Sequence, residues 1–333
     1  MIRTVNSAFD KFMKDVVNLD KDSVANARSS MKNLLDNIQD FDNDEFFHLW
    51  KDINIQYGSF ARKTKCRKLD DIDLMIGISA DGATYDGSVS WNDIAITASY
   101  SNQTQQDCAN EDGTLNSTKV INAFKKKLAG TKDYCRSELH KNGQAVTLNL
   151  LSKEWNFDIV PCFHTVREYD GRAYYLIPNG KGNWMKTDPE RDREYVLEIN
   201  KNHGGKAVEL VRLCKRWIKT KKVTTPMSYL METLIIQYCE QKDELDDFID
   251  IRFADALKYL QTAIFNPVYD IKDIQGDINN LAYGDKFSIS EKAKIDYEKA
   301  KEANSAEIEE DNQEKAMNLW RDIFGDEFPK YGS

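Results

Sequence analysis

Long apolar runs are missing from this chain of 333 residues; no stretch approaches the roughly 18–20 residues that a membrane-spanning helix requires. The first residues also lack the apolar core of a secretory signal, because Asp10, Lys11, Lys14 and Asp15 interrupt them, so a cytoplasmic setting is expected. In that setting the Asn-x-Thr matches at Asn102 and Asn116 carry no weight as glycosylation sites. Cysteine is sparse and unpatterned. The six cysteines, at 66, 108, 135, 162, 214 and 239, show no CxxC spacing and no histidine cluster beside them, which argues against structural zinc and predicts reduced thiols. The four histidines, 48, 140, 164 and 203, are scattered and suggest no catalytic centre. A basic surplus is absent as well. A net charge of −9 weighs against an extended nucleic-acid face, which needs many lysines and arginines on one side, and points to small substrates. Gly180-Lys181-Gly182 and Gly204-Gly205-Lys206 lack the spacing of a P-loop and read as turns.

What is present is a hydrophobic fraction of 41%, enough for an ordinary core in two domains or lobes. Apolar residues recur at helical spacing over 5–18 and 22–39. Strands are predicted over 53–58, 72–78 and 88–98, and a helix capped by Thr118 runs to about Leu128. Two more strands, 145–151 and 155–163, are joined by Ser152-Lys153-Glu154 at hairpin length. Residues 164–190 read as loop. Beyond them helices are predicted over 191–202, 207–221, 226–241 and 244–261, with a long one from Ser290 to about Phe324. The polar portion 299–315 is expected to project into solvent before Trp320, Ile323, Phe324 and Phe328 dock the end back. No repeat or flexible linker is visible. The expected architecture is α+β: a mixed-sheet lobe over 1–190, a helical lobe over 191–333, and a cleft between them.

Within this frame the acidic residues are arranged for a specific chemistry. On a strand, Asp71 and Asp73 project from one face about 6–7 Å apart while Ile72 turns to the core. Asp158, inside the apolar run Trp155-Asn156-Phe157-Asp158-Ile159-Val160-Pro161, would complete a three-carboxylate cup on a neighbouring strand. Such a cup suits hard divalent cations, and two of them about 4 Å apart promote in-line displacement at phosphorus. Gly58-Ser59 supplies a complementary feature: the glycine lets backbone amides approach a triphosphate, and the serine hydroxyl donates to it. Together these residues point to nucleotidyl transfer. Of the basic runs, 63–68 follows the Gly-Ser turn and 215–222 begins inside a predicted helix, whereas Lys125-Lys126-Lys127 reads as a solvated face.

The runs Gly58-Ser59-Phe60-Ala61-Arg62-Lys63-Thr64 and Asp70-Asp71-Ile72-Asp73-Leu74-Met75, with Phe157-Asp158-Ile159-Val160-Pro161, resemble the polymerase-β-type nucleotidyltransferases. The segments Leu210–Trp217 and 226–232 resemble the helix pair of oligoadenylate and cyclic GMP-AMP synthases. The loop Ile177–Glu190 and the ending Trp320–Gly325 are similar to the bacterial branch, the CD-NTases of anti-phage CBASS systems. The resemblance spans nearly the whole chain. It implies magnesium at Asp71, Asp73 and Asp158, as two ions for which manganese can substitute. It also implies donor-phosphate binding by Gly58 and Ser59, triphosphate contacts from Lys215 and Ser228, and base stacking on Tyr229; Arg62 and Thr64 are weaker candidates. Substrates would be ATP, with GTP and pyrimidine triphosphates left open. The product would be a cyclic di- or trinucleotide acting on a CBASS effector, with a regulatory protein as a further partner. A linear, template-independent product and a catalytically silent nucleotide sensor are the alternatives. The zinc-binding thumb of the eukaryotic synthase has no counterpart here.

Overall fold

The computed structural model describes residues 1–43, 45–87, 90–224 and 227–333. By internal contacts it divides into two units: Asp22–Ala61 with Leu69–Arg191, and Met1–Lys21 with Arg62–Lys68 and Asp192–Ser333. The predicted boundary near 190 is therefore one crossing among several. The N-terminal helix and the segment after Ala61, expected in the catalytic lobe, pack within the helical unit.

The sheet unit holds strands β1 (Ile55–Tyr57), β2 (Asp71–Gly77), β3 (Thr84–Tyr85), β4 (Ile96–Thr97), β5 (Glu138–Asn142), β6 (Ala145–Asn149), β7 (Asn156–His164), β8 (Tyr175–Pro178) and β9 (Trp184–Thr187). The main sheet runs β1-β2-β7-β6-β5, with β8 pairing the end of β7 and β9 pairing β8; β3 and β4 form a separate ribbon. Among the described residues, β2 and β7 run parallel and the other strand pairings are antiparallel. Both central strands begin with alternating burial and then become buried on both faces, so one face of the sheet stays partly open at their N-terminal ends. Ile53, Ile55, Met75, Ala145, Val160, Cys162, Tyr175 and Ile177 form an apolar cluster in this unit.

Several expectations shift. Of the strand predicted over 88–98, only β4 forms; Ser88 and Val89 lie outside the described residues. The span 164–190, read as loop, contains β8 and β9, with Asn179 and Gly180 in the turn between them. Asn116, rather than Thr118, caps the helix Ser117–Ala129 by accepting from the Thr118 and Lys119 amides.

In the helical unit the first helix, Val5–Phe12, continues as a π-helical turn over Met13–Val17. It lays Phe9 and Phe12 against Trp320, Phe324 and Phe328, all at most 1% exposed, which bears out the docking of the chain's end. Helices Lys206–Thr220 and Ser228–Glu240 carry the motif residues; Pro226, the predicted start of the second, lies outside the described residues. The long predicted helix is two, Tyr283–Ile308 and Gln313–Phe324, the latter capped by Asn312. Its polar portion is solvated on one side, with residues 308–312 exposed, but packed on the other. Ala293, Asp296, Ala300, Ala303 and Ala306 are fully buried at helical spacing, a stripe of small side chains that permits close packing. Asp296 accepts from the Trp217 indole at 2.8 Å and pairs with Lys221 at 2.7 Å.

Candidate active site

Strand register aligns the catalytic candidates. Tyr57 pairs with Asp73, Asp73 with Asp158, and Asp158 with Thr147, so one row crosses β1, β2, β7 and β6. Laterally paired side chains share a face, about 4.8 Å from strand to strand. A second row, two residues along on the same face, runs Asp71, Asn156 and Asn149. The three aspartates predicted to share a cup therefore come from adjacent strands and one face. The buried Thr147 hydroxyl donates to Asp158 Oδ1 at 2.5 Å. Burial, together with the charges of Asp73 and Asp158, raises the Tyr57 pKa well above its ordinary value, so the phenol beside these carboxylates stays neutral.

Gly58 follows Tyr57 at φ +70°, and a Cβ added there would stand 1.9 Å from Asp73 Oδ2. Only glycine provides both that backbone angle and that approach. Ser59 is half-buried in the short helical turn Gly58–Ala61, which Phe60 anchors in the interior.

These residues fit a divalent cation in their chemistry and strand register. Every donor is an oxygen, and two carboxylates occupy paired positions where a cation would offset their repulsion. In the second row, Asn149, paired with Asn156, has its buried Oδ1 without a hydrogen-bond partner. Among the described residues, no group of three or more His, Cys, Asp or Glu side chains is spaced to hold a metal ion. The fit rests on strand register and the oxygen donors.

In the helical unit, Arg62, Lys215 and Tyr229 form a second cluster. Arg62 donates to Glu232 at 2.5 Å and to Asp192 at 2.6 Å, and its guanidinium stands 5.3 Å from the Tyr229 ring centre. Lys215, 5% exposed, donates to the Thr64 carbonyl at 2.9 Å and lies 3.5 Å from Glu232. The Tyr229 hydroxyl reaches Asp270 at 2.8 Å and Asp192 at 3.1 Å, with its one proton serving one of them, and accepts from Lys272 at 2.9 Å. Lys272 also pairs with Asp270 at 2.7 Å and sits 4.2 Å from the ring centre. Burial would raise the Glu232 pKa, but Arg62 and Lys215 outweigh it and hold the carboxylate below its ordinary range. Burial lowers the Lys215 pKa, with Glu232 opposing, and raises that of Asp192, with Arg62 opposing. Ser228 is exposed at the start of its helix. Arg62, expected to face the nucleotide, and Lys215, expected to contact the triphosphate, are engaged with buried carboxylates here.

Sequence reasoning does not single out Tyr57, Thr147, Asp192, Glu232, Asp270 or Lys272. For Thr147 a signal exists: the short β6–β7 connection sets which residue of β6 lies beside Asp158.

Known proteins agree with this architecture. The Second Messenger Oligonucleotide or Dinucleotide Synthetase (SMODS) domain matches residues 3–200. A probable cyclic nucleotide synthase of Bacillus cereus is 38% identical over 99% of both chains. A cyclic AMP-AMP-AMP synthase of an Acinetobacter species is 26% identical over 61% of this chain and 58% of its own. The solved complex of Escherichia coli MS115-1 CdnC with HORMA-deltaN superposes with a TM-score of 0.70 at 17% identity, covering 97% of this chain and 98% of that one. The fold is that of a polymerase-β-like nucleotidyltransferase, and the class of protein is an enzyme that transfers nucleotidyl groups. Within that class the chain belongs to the SMODS family and is a bacterial CD-NTase.

Proposed function

We propose that this enzyme joins nucleoside triphosphates into a cyclic di- or trinucleotide, releasing pyrophosphate at each bond. The observation that carries the reading is the alignment of Asp73 beside Asp158, with Gly58 closed onto Asp73, in a chain whose relatives include cyclic nucleotide synthases. Asp71, Asp73 and Asp158 are the residues that would hold magnesium, or manganese in its place. Bound there, the metal supplies charge stabilisation at the phosphoryl oxygens and acidifies the attacking hydroxyl.

The chain's own groups do the rest. Gly58 and Ser59 offer the donor phosphates a backbone that can approach closely and a hydroxyl that can donate. A 2′- or 3′-hydroxyl of the acceptor attacks the donor's α-phosphorus, the bond to pyrophosphate breaks, and Asp158 takes up the hydroxyl proton at Oδ2, the oxygen that Thr147 does not anchor. Tyr57, held neutral, adds no charge to the row. Tyr229 offers a ring for base stacking, held in orientation by the partners of its hydroxyl, and Ser228 beside it is exposed for a phosphate contact. Arg62 acts by fixing Glu232 and Asp192, the latter a partner of the Tyr229 hydroxyl, and Lys215 by pairing with Glu232.

The cyclic product serves as a messenger to a separate effector in anti-phage defence, under a regulatory protein. The HORMA complex of the similarly folded CdnC supports the latter, and no described helix is long and apolar enough to cross a membrane. Incubating the protein with each triphosphate alone and in pairs, with magnesium, and measuring pyrophosphate before phosphatase treatment tests the reading. Pyrophosphate with a phosphatase-resistant product supports it. Pyrophosphate with only degradable product favours linear synthesis, and nucleotide binding with no release under any condition, regulator included, favours a silent sensor.

A further inference from the structure

We propose that Thr147 is a positioning residue of the nucleotidyl-transfer site: its hydroxyl fixes the Asp158 carboxylate so that one oxygen is anchored and the other faces the reaction. The inference rests on the catalytic reading of Asp158. Thr147 lies at the register position beside Asp158, is 5% exposed, and is flanked by the fully buried Val146 and Leu148. Its β-branched side chain has few rotamers open to it in a packed strand, so the hydroxyl cannot readily swing away. The bond to Asp158 Oδ1, 2.5 Å long, is at the short end for a hydroxyl donating to a carboxyl oxygen. The Thr147 hydroxyl is the donor and Asp158 Oδ1 the acceptor, and the strand pairing holds the two residues side by side.

An anchored carboxylate presents one oxygen in a defined direction; an unanchored one turns about χ2 between orientations. Groups that hold ligating side chains in this way typically govern about 10–100-fold in metal affinity or activity. A threonine that merely satisfied its own buried hydroxyl would matter to folding but not to cation binding.

The test compares Thr147→Val, which keeps the shape without the hydroxyl, with Thr147→Ser, which restores it, and with Asp158→Asn. Manganese binding is read by electron paramagnetic resonance in the presence of a non-hydrolysable ATP analogue, alongside kcat and KM for product formation and the melting temperature. Thr147→Val is expected to weaken manganese binding and lower kcat by about 10–100-fold with KM for ATP little changed, and Thr147→Ser to recover to within about threefold of wild type. Wild-type manganese affinity and kcat in Thr147→Val, or a serine variant as impaired as the valine one, would overturn the proposal. If Thr147→Val does not fold, Thr147→Ala carries the same expectation and the same refutation. The control separates the two readings. A fully active Asp158→Asn would remove the catalytic reading itself, whereas an inactive Asp158→Asn beside an unimpaired Thr147→Val would remove only the role of Thr147.

Discussion

Replacing Gly58 by alanine probes the placement of Asp73. The added Cβ would stand 1.9 Å from Asp73 Oδ2 and 2.8 Å from its Cγ, whereas ordinary contact begins at 3.4 Å. The carboxylate must therefore retreat by roughly 1.5 Å, or the Gly-Ser turn must lift by as much, and misplacement of about 1 Å in an oriented reaction costs on the order of 100-fold. Positive φ adds about 1–2 kcal/mol of strain for any residue with a Cβ. A control separates the two effects. Gly143 has φ +55° and nothing within 4 Å of the position a Cβ would take, so Gly143→Ala bears similar strain without touching the acidic row. Steady-state product formation and thermal melting are measured on both. Gly58→Ala is expected to lose about 100-fold or more in kcat, and Gly143→Ala to melt earlier yet stay active. Equal activities in the two variants would refute the argument that Gly58 is required by its closeness to Asp73.

Removing the Arg62 charge with Arg62→Met leaves Asp192 and Glu232 short of a cation in the interior, and a loss of about 3–5 kcal/mol is expected in chemical denaturation; a loss below about 1 kcal/mol would mean that the pairs contribute no more than surface ones. Tyr229→Ala is expected to weaken nucleotide binding by about 1–3 kcal/mol in calorimetric titration, and an unchanged affinity would take Tyr229 out of the substrate site. Acid should destabilise the helical unit through Glu232, whose folded pKa lies below the ordinary 4.5 because Arg62 and Lys215 outweigh its burial. Its contribution is complete above about pH 4.5 and is lost as the pH falls through the lower folded value. The denaturation midpoint of the wild type should therefore fall more steeply below pH 4.5 than that of Glu232→Gln, and parallel curves would contradict the assignment.

The acidic row is legible in the sequence because local pattern and chemistry coincide there. Ile72 and Leu74 define a strand whose other face carries Asp71 and Asp73, and Asp158 stands out as a charge inside an apolar run. Elements without such contrast escape notice. Strand β5, Glu-Leu-His-Lys-Asn, is an exposed edge whose polar sequence has no alternation to detect. Strands β8 and β9 are short, and Pro178, Asn179 and Gly180 suggest loop, although Pro178 ends β8 and Asn179 and Gly180 lie in the turn to β9. The stripe of alanines through Ala306 is hidden among lysines and glutamates, since alanine contributes little apolar contrast while allowing close packing. Thr147, 11 residues from Asp158, and the partners of Arg62, 130 and 170 residues away, are set by tertiary pairing rather than local pattern. Arg62 and Lys215 stand out as basic residues near the motifs, but the buried carboxylates facing them leave no trace beside them in sequence.

The most direct test of the central claim is mass spectrometry of phosphatase-treated reactions, with wild type and Asp73→Asn run side by side on all four ribonucleoside triphosphates and magnesium, with the regulatory partner present if activity requires it. A resistant cyclic di- or trinucleotide mass is expected from the wild type and none from Asp73→Asn at equal folded concentration. The same product from both proteins would contradict the assignment of the acidic row as the catalytic centre, and a wild type that yields only nucleosides while releasing pyrophosphate would contradict cyclisation.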